Sequence, residues 1–211
     1  MAGTREGVSL TVMRLKADGL ACTRGGREVF RGLSFVLTAG EGMVVTGRNG
    51  AGKSSLLRMI AGLIRISAGH LDFDGGNPEL PLAEHCHYLG HQDAMKPSLS
   101  VGENLEFWTA FFGADLAVAP ALDTVDLRPL ADLPAAFLSA GQRRRLSIAR
   151  LVAVPRPIWL LDEPTSALDI TSQKILSELM SSHLSSGGII VAAAHGPIGL
   201  EHARELKLGL A

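Results

Sequence analysis

Several absences narrow this sequence before any motif is read. Only two cysteines occur, Cys22 and Cys86. They stand far apart and without metal-ligand spacing, which excludes a disulfide framework and fits a reducing compartment. No apolar run approaches the ~20 residues of a membrane span; the longest, such as Ile189 to Ala194, have strand length. The opening MAGTREGVSLTVMRLKADG lacks the uninterrupted apolar stretch and small-residue cleavage site of a secretory signal. The formal net charge is −1, which argues against nucleic acid as the main partner. Internal repeats and low-complexity segments are also missing.

What is present is ordinary globular material. The 211 residues are 46% hydrophobic and 19% charged, enough for one domain with a full core and a smaller subdomain. From Leu10 to about Val45, alternation in LKADGLAC, REVFRGLSFVLTAG and EGMVVTG predicts short strands between glycine-rich turns. From Gly52 the apolar residues Leu56, Leu57, Ile60, Leu63 and Ile64 recur at helical spacing. HCHYLGHQ predicts another strand. Between Pro97 and Arg150 the pattern is mostly helical, with an apolar stripe of Leu105, Trp108, Phe111 and Phe112. PIWLLDEP and GGIIVAAAH read as strands around a helix from about Thr171 to Ser185. Strands alternating with helices predict a largely parallel sheet covered on both faces, with the helical middle inserted into it.

Two stretches carry chemistry. GRNGAGKS, Gly47 to Ser54, is G-x-x-x-x-G-K-[ST] between an apolar strand and a helix, the setting in which this pattern binds phosphate. Gly47, Gly50 and Gly52 let the backbone of Arg48, Asn49 and Ala51 curl, so that N–H groups face a β-phosphate at a helix start. Lys53 supplies positive charge to the β/γ-phosphates, Ser54 offers a hydroxyl to Mg²⁺, and Ser55 continues the helix start. In IWLLDEP, Asp162 emerges at the C-terminal end of an apolar strand, where ligands of open α/β sheets bind. There it would hold Mg²⁺ through water, and Glu163 would polarise an attacking water as a general base. Solvated acids closing a strand are the plainer alternative.

A third stretch, LSAGQRRRLSIARL, runs from Leu138 to Leu151. Ser139 and Gln142 have capping-box spacing, but a cap alone does not call for the small Ala140-Gly141 pair. Small residues at a helix start also leave N–H groups open to an anion.

LSAGQ closely resembles the LSGGQ signature of the ATP-binding-cassette (ABC) ATPases, about 20 residues before LLDEP. Gln92 in YLGHQ resembles that family's Q-loop glutamine, SALD (Ser166 to Asp169) its D-loop, and His195 its switch histidine. The resemblance runs from about residue 15 to 196. It implies an ABC-type P-loop NTPase fold across 1–211: a β-rich start at about 8–45, a RecA-like core from 46–92 and 152–211, and a helical signature subdomain at 93–151. It implies ATP and Mg²⁺ as ligands, with Gln92 near the metal beside Ser54 and Asp162. It implies that Glu163, His195 and Gln92 serve catalysis. Ser139, Gly141, Gln142 and Asp169 would meet nucleotide held by a second cassette, paired head to tail as a homodimer.

A single cassette with no spanning segment implies an integral membrane permease partner and a peripheral place on the cytoplasmic face of a bacterial inner membrane. Within the family, LSFVLTAGE, YLGHQDAMKPSLSVGENLEFW and LSAGQRRRLSIARL are most similar to the ATP-binding subunit of bacterial cytochrome c maturation, or haem export, systems. That resemblance adds haem-handling membrane proteins as partners. It leaves open whether haem itself is moved or a haem chaperone released. A non-transport ABC ATPase is the alternative, disfavoured by the absence of heptads and basic surface. An ordinary P-loop kinase offers no role for the signature.

Departures and distractions remain. Ala140 stands where the signature has glycine. Arg24, in CTRGG, stands near where the family stacks adenine on an aromatic residue; it either stacks through its guanidinium or base contacts are weak, leaving ATP against GTP open. The chain ends soon after His195, without the C-terminal extension of some relatives. His85, Cys86 and His87 suggest a metal or haem site, but a strand would put the two histidines on one face and the thiol on the other, so a structural reading is preferred. His91 reads as local structure of its loop. Arg143, Arg144 and Arg145 do not share a helix face and read as a solvated helix with one arginine near the nucleotide. Phe107, Trp108, Phe111 and Phe112 read mainly as packing, with a groove for a partner's helix as the alternative.

Overall fold

The computed structural model describes residues 13–114 and 117–209; the expected β-rich start at 8–12 and the last core residues, 210–211, lie outside them. Strands β1 (Arg14–Arg24) and β2 (Arg27–Thr38) form an antiparallel hairpin. Strand β3 (Gly42–Thr46) leads into helix α1 (Lys53–Ile60), and β4 (Ala68–Asp74) and β5 (Cys86–Leu89) follow. The middle holds α2 (Val101–Phe111), α3 (Ala119–Thr124) and α4 (Ala140–Ala153). The chain closes with β6 (Ile158–Asp162), α5 (Ile170–Ser185), β7 (Ile189–Ala193) and β8 (Arg204–Lys207).

Antiparallel and parallel pairing are segregated. One sheet has the order β2-β1-β4 and the other β5-β6-β7-β3-β8, with every pairing of the second parallel. Two strands therefore lie across the sequence division expected above. β3, grouped with the β-rich start, joins the parallel sheet between β7 and β8. β4, inside the stretch assigned to the core, pairs with β1. Sheet membership is a long-range choice, and local alternation carries no information about it.

The parallel strands read as continuous apolar runs because both faces are covered. In β6, Ile158 and Leu160 enter one core cluster, with Leu56, Leu57 and Ile60 of α1 and Leu15 and Leu37 of the antiparallel sheet. Trp159 and Leu161 enter the other, with Ile148 and Leu151 of α4 and Leu176 and Met180 of α5. This is the two-residue alternation of a strand used twice over. Helix α1 stops earlier than the apolar spacing predicts: Gly62 turns left-handed at φ 72°, and Leu63 beyond it is 64% exposed.

Candidate nucleotide site

The site forms at the C-terminal ends of β3, β6 and β7. Gly47, Gly50 and Gly52 hold φ of 140°, 82° and 99°. A Cβ on Gly52 would stand 2.5 Å from Val29 Cγ1, so both conformation and space demand glycine there. Of the four helices of eight residues or more among the described residues, α1 alone has no side-chain hydrogen bond at its N-cap. Its first N–H groups face a cavity of about 540 Å³, lined by Arg24, Val29, Asn49, Gly50, Gly52, Lys53, Ser54, Ser55, Arg58, His91, Asp162, Glu163 and His195. An open helix start with a lysine in its first turn is an anion site.

Lys53 is 7% exposed. Its ammonium donates to Gly47 O at 2.9 Å and, weakly, to Arg48 O at 3.5 Å, and stands 3.2 Å from His195 Nε2. The same Nε2 is 3.5 Å from Glu163 Oε1. Nε2 thus stands between the Lys53 ammonium and the Glu163 carboxylate, and which of the two it engages depends on the ring tautomer. Glu163 sits at φ 49°, and its N–H donates to Ala193 O at 2.9 Å.

Asp162 is 2% exposed, and both its carboxylate oxygens have donors. Ser54 Oγ donates to Oδ1 at 2.9 Å and Tyr88 OH to Oδ2 at 3.2 Å, while Arg58 Nε donates to Tyr88 OH at 3.0 Å. Burial pushes the Tyr88 hydroxyl above its ordinary pKa, and the Asp162 charge adds to this against Arg58. The phenol therefore stays a proton donor to Asp162. Tyr88 and Arg58 were missed from the sequence, although the period-two pattern of β5 could have placed Tyr88 on the face opposite His87.

The arginine run corrects a further expectation. Arg144 is 3% exposed, not solvated. Its Nε donates to Pro164 O at 3.2 Å, and its Nη2 to Asp162 O at 3.0 Å and Glu163 O at 2.7 Å. Nη1 reaches Gly90 O at 2.7 Å and Asp93 Oδ1 at 3.5 Å. Burial lowers its pKa, with Asp93 opposing. Arg143 bonds Leu138 O, and Arg145 bonds the carbonyls of Val125 and Asp126. The readable signal was that Arg144 heads the stripe Arg144, Ser147, Ile148, Leu151 on the buried face of α4.

Other expected residues stand apart from this cavity. Gln92 is exposed, and its neighbour His91 is the one that lines the space. Ser139 caps α4, its Oγ accepting from Gln142 N at 3.2 Å while Gln142 Oε1 accepts from Ser139 N at 2.8 Å. Gly141 packs on the backbone after β6, where a Cβ would be 3.0 Å from Ala167 O. Asp169 caps α5, accepting from Ser172 N at 2.8 Å, and that bond lowers its pKa.

The His-Cys-His run has protein partners. His85 lies in a short 3₁₀ turn rather than on the strand, donating from Nδ1 to Pro81 O and accepting at Nε2 from Asn77 N. His87 donates to Val154 O at 2.6 Å, and Cys86 Sγ reaches Leu82 O. A larger hollow of about 930 Å³ lies beside β4, but its charged Arg14 and Asp74 are already paired.

Comparison with known proteins agrees with this geometry. The sequence profile of the ABC transporter family matches residues 30–166. The chain is 60% identical over 200 residues to the "Cytochrome c biogenesis ATP-binding export protein CcmA" of Rhodopseudomonas palustris (strain HaA2), covering 94% of this chain and all of that protein. A protein of the same name from Nitrobacter winogradskyi is 58% identical over 93% of this chain and 98% of its own length. In fold, the chain is similar to a putative ABC transporter ATP-binding protein from Pyrococcus furiosus, with TM-score 0.78, 21% identity, and coverage of 92% and 97%. It is also similar to the ATP-binding subunit of an ABC transporter, with TM-score 0.83, 22% identity, and coverage of 92% and 85%.

Proposed function

The chain belongs to the ABC transporter family as an ATP-binding, ATP-hydrolysing subunit, and from that premise we propose that it powers haem export in the making of c-type cytochromes. The observation that carries the chemistry is the convergence of Lys53, Asp162, Glu163 and His195 on one cavity at the open start of α1. The relatives named for cytochrome c biogenesis, matched over nearly the full chain, support the pathway.

In this reading the triphosphate of ATP lies along the start of α1. Its β-phosphate accepts from the N–H groups of 50–54, and Lys53 exchanges its carbonyl partners for phosphate oxygens. Ser54 and Asp162 are hard oxygen donors within 2.9 Å of each other, a set that suits Mg²⁺. When bound there, Mg²⁺ neutralises charge on the β- and γ-phosphates. Glu163 accepts a proton from water as the water oxygen bonds to the γ-phosphorus; the bond from that phosphorus to the β–γ bridging oxygen breaks, and ADP and inorganic phosphate are released. Gln92 and His195 orient the water and the phosphate, and Asp169 borders the nucleotide held between paired cassettes. Arg24 and Val29, at the cavity rim, take the base.

Ser139, Gly141 and Gln142 lie outside their own chain's cavity, which supports a head-to-tail pair in which they close on the partner's γ-phosphate. No helix among the described residues is long and apolar enough to cross a membrane, so an integral permease supplies the path. Phe107 and Phe111 are exposed next to Lys96, whose ammonium lies over the Phe107 ring. They support docking of that permease beside α2 and the Gln92 loop, at the cytoplasmic face of the inner membrane. The deciding experiment replaces Glu163 by Gln in the native host and stains membrane proteins for covalently bound haem. Loss of c-type cytochromes with other haem proteins intact is expected; unchanged c-type cytochromes would assign the ATPase to another transporter.

A further inference from the structure

We propose that Arg144 is a positioning residue for hydrolysis, fixing the backbone of 162–164 so that Glu163 faces the nucleotide, and tying that backbone to the loop at 90–93. The proposal rests on Glu163 being the general base. Glu163 occupies a left-handed conformation at φ 49°, uncommon for any residue other than glycine. Such a conformation persists only where the surroundings over-determine it. Its N–H is held by Ala193 O. Its carbonyl, with those of Asp162 and Pro164 on either side, is held by one guanidinium.

Arg144 has five N–H donors and five acceptors within reach, three of them successive carbonyls and two in the 90–93 loop, Gly90 O and Asp93 Oδ1. Ser147, one turn along the same face of α4, donates to the same Asp93 oxygen at 3.0 Å. The helix that starts at the signature is thereby fastened to the backbone of Glu163 and to the loop that carries Gln92 through a single side chain. A lysine has three donors on one nitrogen and cannot span this set. Displacing α4 would displace the carbonyl of Glu163.

The test compares Arg144→Met, Arg144→Lys, Glu163→Gln and both double variants in the full-length protein, with ATP binding and thermal unfolding measured beside steady-state hydrolysis. Arg144→Met is expected to lower kcat about 10²-fold, the scale of a misplaced catalytic group, with KM within about twofold. Arg144→Lys is expected not to restore the rate. In the Glu163→Gln background neither change lowers hydrolysis further. Multiplying losses in the doubles, a normal kcat, or full activity with lysine would each overturn the proposal. Should Arg144→Met not fold, Arg144→Lys carries the same comparison. A Glu163→Gln variant with normal hydrolysis would defeat the reading of Glu163 itself, and this inference with it; a slow Glu163→Gln beside a normal Arg144→Met defeats only this inference.

Discussion

Helices α1 and α4 both begin at small-residue turns that resemble phosphate sites, yet their first N–H groups are treated differently. At α1 the N-cap is Gly52, which offers no side chain, and the N–H groups open onto the cavity containing Lys53 and Asp162. At α4 the reciprocal pair of Ser139 and Gln142 already satisfies two N–H groups. A capped start keeps its shape without a ligand, whereas an uncapped one leaves donors for an anion to fill. On the proposed reading the first receives phosphate within its own chain, and the second meets phosphate brought by a partner cassette, to which the Ser139 hydroxyl would donate.

The largest effect expected lies on the α1 side. Glu163→Gln lowers hydrolysis by roughly 10²–10⁴, the range for a lost general base, while ATP binding measured by calorimetry stays intact. On the α4 side, Gly141→Leu forces a side chain toward Ala167 O. It spares nucleotide binding to the isolated subunit and lowers hydrolysis by the paired protein about 10²-fold. If binding to the isolated subunit were lost instead, the contrast between the two helix starts would collapse.

The far end of α4 gives a pH-dependent test. His87 donates to Val154 O at the C-cap, and burial lowers its pKa from 6.5 to about 3, against the raising effect of that bond. The folded chain holds the ring neutral, whereas the unfolded chain protonates it below about pH 6.5. Its contribution is therefore whole above 6.5 and is lost as pH falls toward about 3, at up to about 1.4 kcal/mol per pH unit. Urea unfolding between pH 7 and 5 should show this slope, and His87→Gln should flatten it. The smallest effect is Ser139→Ala, which removes a cap worth about 1 kcal/mol and should lower the unfolding midpoint without changing ATP binding to the isolated subunit.

The readable parts of the site share one property: each is specified within a few residues of itself. GRNGAGKS shows its glycines and lysine in a row, Ser139 and Gln142 cap one turn of their own helix, and β6 and β7 are buried runs bounded by turns. Of the expectation for Arg143 to Arg145, one arginine beside the site holds, in Arg144, but that residue is buried rather than solvated, because the carbonyls that accept from it lie 18 to 20 residues away on another strand end. The role of Tyr88 is not legible in the sequence because its partners, Arg58 and Asp162, lie 30 and 74 residues away. His85 falls just before the strand expected to include it, which begins at Cys86.

The sequence alone determined the strand–turn–helix phosphate loop, the capped signature helix and the acids at the end of an apolar strand, because backbone conformation and side-chain periodicity act over a few residues. Only the tertiary structure decided that β3 leaves its neighbours for the parallel sheet while β4 joins the antiparallel one. It alone set Lys53 beside His195, 142 residues away, and turned Arg144 inward onto the carbonyls beside Glu163. Those outcomes depend on which apolar faces cover one another and which buried donors find acceptors, and both are settled only when distant segments pack together.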